Sequence, residues 1–236
     1  MRRNIQVLGW TLIWSGVFIF GYLGYQLFVT DLINAGVQSE AADALEETFE
    51  SEPPTAAEQI DPVDYLGPDE TLPPETPELV EFHPMVPPET GTSLAFLRIP
   101  KIEVDEVLFE GVDQQTLKSG PGHMESTPLP GEPGNSVLSG HRTTHGRPFF
   151  DFDLLVVGDD IEVETAIGTH VYRIREMRIV LPTDVWVTDD RPGGWMTLTT
   201  CNPKFSARER LVVWAEMISG PNYEFIQLHE AKFGQE

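Results

Sequence analysis

Residues 197–213 read TLTTCNPKFSARERLVV, and the chain is best understood from this stretch. Before the loop NPKFSA, residues 195–201 alternate apolar and polar, the pattern of a strand with one face in a core. Thr197, Thr199 and Cys201 share one face, Met196 and Leu198 the other. After the loop, Leu211, Val213, Ala215 and Met217 form a second apolar face, with Arg210, Val212 and Trp214 opposite. If the two strands pair, Arg210 meets Cys201 on a shared polar surface. A cationic neighbour favours a thiolate and can hold an oxyanion.

Further short β-rich runs punctuated by Gly and Pro turns lie at 93–100, 104–109, 136–140, 160–165 and 169–181, and the central pair occupies 195–201 and 210–218. Strands of this length and spacing predict a sandwich or a barrel. Short helices are predicted at 113–118 and 149–155. About 140 residues suffice for one core, so residues 93–236 read as one domain.

The preceding sequence differs in kind. The chain has 236 residues and a formal charge of −23. Sixteen acids and no Lys or Arg fall between Asp31 and Thr92. This stretch is rich in Pro, with PPET at 73–76 and again at 87–90, and reads as a disordered linker over 31–92. Within it, 39–49 (SEAADALEETF) is a candidate helix, with Leu45 and Phe49 four apart. So acidic a chain has no basic stripe for phosphate, which argues against nucleic acid as a partner. Residues 7–29 carry no charge and follow Arg2 and Arg3. Since roughly 20 apolar residues span a bilayer core, a transmembrane signal-anchor helix is expected over 7–30. Residues 1–6 then form a cytoplasmic tail, and the rest lies outside the cell membrane. A cleaved signal peptide usually has a shorter apolar region.

Cys201 is the only cysteine. Exported domains generally pair their cysteines, so an unpaired one points to a reactive thiol or an intermolecular bond. A thiol nucleophile needs a proton-transfer partner. Of six histidines, His141 is the best placed, in SGHRTTHGRPF just after the strand that ends at Gly140. His141 and His145, four apart, could instead join Cys201 on a metal, but their spacing falls in a Thr/Gly loop rather than on a helix. A non-catalytic surface barrel and a hydrolytic cysteine protease are also compatible with these residues.

TLTTC, the R-L-V-V beginning nine residues after the cysteine, the upstream SGHR, FLRIPKIEV, GPGH at 120–123 and PGEPGN at 130–135 together resemble a sortase, most closely class E. The resemblance spans about 93–218. It implies an eight-stranded β-barrel, with catalytic His141, Cys201 and Arg210. Arg210 and Arg208 have the same strand parity, and the family arginine directly before L-V-V selects Arg210. Arg208, Thr200 and His145 become candidate substrate-binding residues. The pilin-assembling class C fits less well, since Asp61-Pro62-Val63 lacks the aromatic residue of its lid. Class E proteins commonly have tyrosine at the position of His145 and relatives often have histidine at that of Asn202. The implied reaction is transpeptidation without a cofactor or metal. A secreted protein bearing an LAxTG- or LPxTG-like sorting signal is cut between Thr and Gly and passed through a thioester to an amine, of a lipid-linked peptidoglycan precursor or a pilin. His83, His123, His170 and His229 read as structural or exposed, with His123 bordering the groove as the open case.

Overall fold

The computed structural model describes residues 2–25, 30–51 and 80–233. Its centre is a closed barrel of eight strands: β1 Ser93–Ile99, β2 Val104–Glu110, β3 Gly122–His123, β4 Gly134–Ser139, β5 Asp160–Thr165, β6 Gly168–Val180, β7 Gly194–Asn202 and β8 Glu209–Ser219. Around the barrel they run in the order β1-β2-β3-β4-β7-β8-β6-β5. The mainly-β barrel is the fold expected from the sequence.

The seven strands read from alternation are present, with ends moved by a residue or two. The eighth, β3, is too short to show a period. It pairs parallel to β2, Phe109 opposite Gly122, and antiparallel to β4, Gly122 opposite Ser139. Gly122 permits this closure, because a Cβ there would lie 2.1 Å from the Gly111 carbonyl oxygen. Fully burying a large apolar side chain stabilises by about 1.5–3 kcal/mol, and the inner faces supply many: Leu138 from β4, Met196 and Leu198 from β7 and Val213 from β8 are all fully buried.

Helices decorate the barrel. Helix α1 spans Arg2–Gly24 and α2 Thr30–Ser51. A short α3, Thr116–Ser119, falls largely inside the helix expected at 113–118, and a 3-10 turn at Phe152–Leu154 inside that expected at 149–155. Helix α4, Tyr223–Phe233, was not anticipated in the polar C-terminal stretch.

One expectation needs correction, that of a disordered linker: α2 is a full helix packed against the barrel. Leu45 is buried against Phe96, Val107 and Phe109, and Phe49 meets the Phe96 ring edge-on at 6.2 Å. Because β3 covers only the last two residues of β2, the Val107 backbone is left open there. Gln38 closes it, its Oε1 accepting from Val107 N at 2.6 Å and its Nε2 donating to Val107 O at 3.2 Å. Residues 80–92 also run along the barrel, with Gly91 N donating to Glu110 O at 2.7 Å. Residues 52–79 of the expected linker lie outside the described residues.

The membrane anchor expected over 7–30 includes residues 26–29, which lie outside the described residues. Among the described residues no helix is long and apolar enough to cross a membrane.

Candidate active site

The three residues singled out by sequence lie on, or just past the end of, three neighbouring strands. Strands β4 and β7 pair in parallel, with Ser139 opposite Thr199. Two residues further along each chain come His141 and Cys201, so the parallel register brings them to the same level with the same parity. Strands β7 and β8 pair antiparallel, with Cys201 opposite Arg210. Adjacent strands lie about 4.8 Å apart. Cys201 and Arg210 therefore face each other across β7 and β8, and His141, in the loop that leaves β4 where Gly140 N donates to Thr199 O at 3.2 Å, extends the row past the half-buried cysteine. The row lies on the outer face, since residues of opposite parity, Leu138, Leu198 and Leu211, point into the core.

The register also separates the two arginines. Strand β8 begins at Glu209, so Arg208 is an exposed loop residue. Its backbone N–H donates to Ser206 Oγ at 3.3 Å. Arg210 lies on the strand, with Nη1 donating to Ala207 O at 3.1 Å and Glu209 O at 2.9 Å. Its Nε and Nη2 have no hydrogen bond among the described residues, leaving donors for a developing negative charge.

The connection between β6 and β7 overlies the same outer face. Its 3-10 turn, Val185–Thr188, places Val187 in an apolar cluster with Val212 and Trp214. Trp214 Nε1 donates to Val187 O at 3.2 Å, and Asn135 Nδ2 donates to Asp189 O at 2.9 Å. The outer face of β4, β7 and β8 thus has a wall at one end and the reactive row at the other.

The His141 ring stacks on His145 at 4.9 Å with 28° between the planes. Burial pushes the His141 pKa below the ordinary histidine value, and the nearby His145 pushes it the same way. Burial also lowers His145, reinforced by Lys118 and opposed by Asp31. His145, Gly146 and Arg147 all have positive φ, at 52°, 76° and 54°. Helix α2 holds this bend: Gly146 N donates to Asp31 Oδ1 at 3.2 Å, and Arg147 pairs with Asp31 at 2.9 Å.

Thr200 differs from the sequence reading. It is nearly fully buried, and its hydroxyl donates to Gly140 O at 2.8 Å. That hydroxyl faces away from the outer row, so Thr200 positions the residue before His141 instead of touching a substrate through its side chain. His123, the open case, is buried beside the Glu110 carboxylate, with Nδ1 2.9 Å from it. It belongs to the packing. Among the described residues no cluster of three or more His, Cys, Asp or Glu is placed to hold a metal.

Two residues next to the reactive ones were given no site role from the sequence. Arg142, next to His141, is almost wholly buried, and Asn202, next to Cys201, lies beside it with Arg142 Nη1 to Asn202 Oδ1 at 2.7 Å. A buried arginine in a loop of Thr and Gly looks like ordinary surface charge until the fold closes over it.

Comparison with known proteins agrees with this geometry. A family model described as the sortase domain matches residues 97–218. Sortase SrtE1 of Streptomyces coelicolor is 35% identical over 146 residues, covering 55% of this chain and 42% of that protein. Sortase D of Bacillus subtilis is 33% identical over 137 residues, covering 56% of this chain and 67% of its own length. Among solved structures, sortase E1 of Streptomyces coelicolor with a tripeptide in its active site is 34% identical with a TM-score of 0.52, covering 55% of this chain and 90% of that one. The chain thus spans less than half of one curated relative but most of a solved catalytic domain. It belongs to the sortase family, whose members are cysteine transpeptidases, and is most like class E.

Proposed function

We propose that this protein is a membrane-attached transpeptidase that cuts a C-terminal LAxTG- or LPxTG-like sorting signal between Thr and Gly and passes the acyl group to an amine. The observation that carries this reading is the pairing of Cys201 with Arg210 on β7 and β8, with His141 in the loop that leaves the adjacent β4. The Cys201 thiolate attacks the threonine carbonyl carbon, and the oxygen that gains negative charge accepts hydrogen bonds from Arg210. His141 donates a proton to the leaving glycine nitrogen, and the C–N bond breaks to leave a thioester on Sγ. An incoming amine attacks the thioester, His141 takes its proton, and the thiolate is released. Two relatives support a peptide ligand: the solved sortase E1 holds a tripeptide in its active site, and a sortase C of Clostridium perfringens, 28% identical with a TM-score of 0.53, holds a C-terminal cell wall sorting motif.

The acceptor that fits a cell-wall role is the amine of a lipid-linked peptidoglycan precursor. Its supply at a membrane surface is favoured if α1 inserts there, with Arg2 and Arg3 on the cytoplasmic side. The support is physical: Trp10, Leu12, Trp14, Phe18 and Phe20 on α1 are each more than half exposed, and so large an apolar surface requires cover. Resistance to alkaline extraction from membranes tests the attachment, and release into the soluble fraction contradicts it.

For the reaction, the full-length protein is incubated with LAxTG and LPxTG peptides, with and without an added amine. Transfer product that depends on Cys201 is the expected result. Cleavage with water as the only acceptor would make the protein a hydrolase, and no cleavage of either peptide would refute the reading.

A further inference from the structure

Beneath the reactive row runs a second row. Each of its members is the sequence neighbour of one member of the first: Arg142 beside His141, Asn202 beside Cys201, Glu209 beside Arg210. Strand alternation turns Asn202 and Glu209 to the face opposite Cys201 and Arg210, and Asn202 is the register partner of Glu209 just as Cys201 is of Arg210; Arg142, in the loop after β4, reaches the same side through its hydrogen bonds. The three are joined by hydrogen bonds. Arg142 Nη1 donates to Asn202 Oδ1 at 2.7 Å, and Asn202 Nδ2 donates to Glu209 Oε2 at 3.0 Å.

Arg142 also reaches the reactive strand itself, with Nη1 donating to the carbonyl oxygen of Cys201 at 3.2 Å. Its other nitrogens are anchored elsewhere, Nη2 on Asp153 Oδ1 at 2.8 Å and Nε near Phe150 O at 3.5 Å. The Arg142 side chain is 3% exposed. A charge buried this deeply is costly unless fully paired, and removing one partner leaves the others unsatisfied. The network fixes the Asn202 amide as well, since its oxygen must face the guanidinium and its nitrogen the carboxylate.

We propose that the Arg142–Asn202–Glu209 chain is a positioning brace that sets the spacing of Cys201 from His141 and Arg210. None of its members touches the substrate. They act through the backbone of the loop after β4 and the ends of β7 and β8, where Thr200 already ties β7 to Gly140. A displacement of about 1 Å at reacting atoms can cost on the order of 100-fold in rate. The brace therefore bears on kcat far more than on peptide binding.

The inference rests on the proposed reaction, so its test includes a readout that needs no substrate. Full-length wild type, Arg142→Gln, Asn202→Leu, Glu209→Ala and Glu209→Gln are compared in peptide turnover and in alkylation of Cys201 by iodoacetamide across pH. Melting temperatures select the variants that fold. For folded Arg142→Gln and Asn202→Leu, kcat should fall by about 10- to 100-fold with KM within about threefold. Their alkylation pH profile should move by about half a unit or more. Glu209→Gln keeps an acceptor for Asn202 and should stay close to wild type, while Glu209→Ala should fall between. Should both buried variants fail to fold, the Glu209 pair decides: a difference in kcat and in alkylation profile supports the brace, and identical behaviour overturns it. Wild-type kcat and pH profile in folded Asn202→Leu would also overturn it. A wild type inert towards both peptides would sink the proposed function, while the alkylation profiles would still judge the brace.

Discussion

Replacing Arg210 by alanine should remove the donor that meets the oxyanion, and replacing Arg208 should not. Arg210 is the register partner of Cys201, whereas Arg208 is an exposed residue ahead of the strand. One guanidinium nitrogen of Arg210, Nη1, is occupied by two backbone carbonyls, which orient the group. Loss of one preorganised donor to an oxyanion costs roughly 100- to 1,000-fold in kcat, or about 2.7–4 kcal/mol. Arg210→Ala should fall in that range with its melting temperature little changed, since the residue is only partly buried. Arg210→Lys retains the charge but not the planar fork, and should recover only part of the loss. Arg208→Ala should remain within about threefold of wild type, as exposed charges contribute little. Steady-state kcat and KM on a cleaved peptide read all three. If Arg208→Ala costs more than Arg210→Ala, or Arg210→Ala leaves kcat nearly intact, the register argument fails.

The surroundings of the site and the packing of the barrel can be tested in the same way. In His145→Tyr the positive charge that disfavours His141 protonation is gone, so the His141 titration, read by NMR, should move to higher pH; movement downward would contradict the pairing. His170 is buried between Gly131 and Gly220 and its pKa is lowered by burial from 6.5 to about 4. Below 6.5 the unfolded chain takes up a proton that the folded chain refuses. The stability held above pH 6.5 is therefore lost as pH falls towards 4, by about 3 kcal/mol for this one group. Denaturant titrations of His170→Gln should show a shallower fall over that window, and an unchanged slope would contradict the assignment. Leu45→Ala should speed amide exchange in α2 without unfolding the barrel, because Leu45 belongs to a small cluster separate from the main core; global unfolding would show that α2 is integral to the core.

The β7–β8 hairpin was legible because two short β-rich runs flank a Pro-containing loop, and parity along them put Cys201 and Arg210 on one face. The same parity could not separate Arg208 from Arg210, since it does not say where a strand starts. Helix α2 was only partly legible for a different reason. Its barrel-facing side runs through Asn34, Gln38, Ala41, Leu45 and Phe49, a regular helical stripe whose first two members are polar. A search for hydrophobic period misses such a stripe, because Asn34 and Gln38 bond open backbone groups rather than filling a core. Strand β3 is two residues long and carries no period. Arg142 ends the SGHR block and Asn202 follows the cysteine, but neither position shows in sequence that the two side chains meet. Their importance lies in contacts across 60 residues of chain, which spacing along one strand does not reveal.

Everything proposed for the reaction depends on Cys201 carrying the acyl group. Intact mass spectrometry of the full-length protein, quenched during turnover of a sorting-signal peptide, reads that bond itself. The expected result is a covalent adduct equal to the peptide fragment ending at threonine, located on Cys201 and released by an added amine. No adduct during active turnover, or the same adduct on Cys201→Ala, would contradict it.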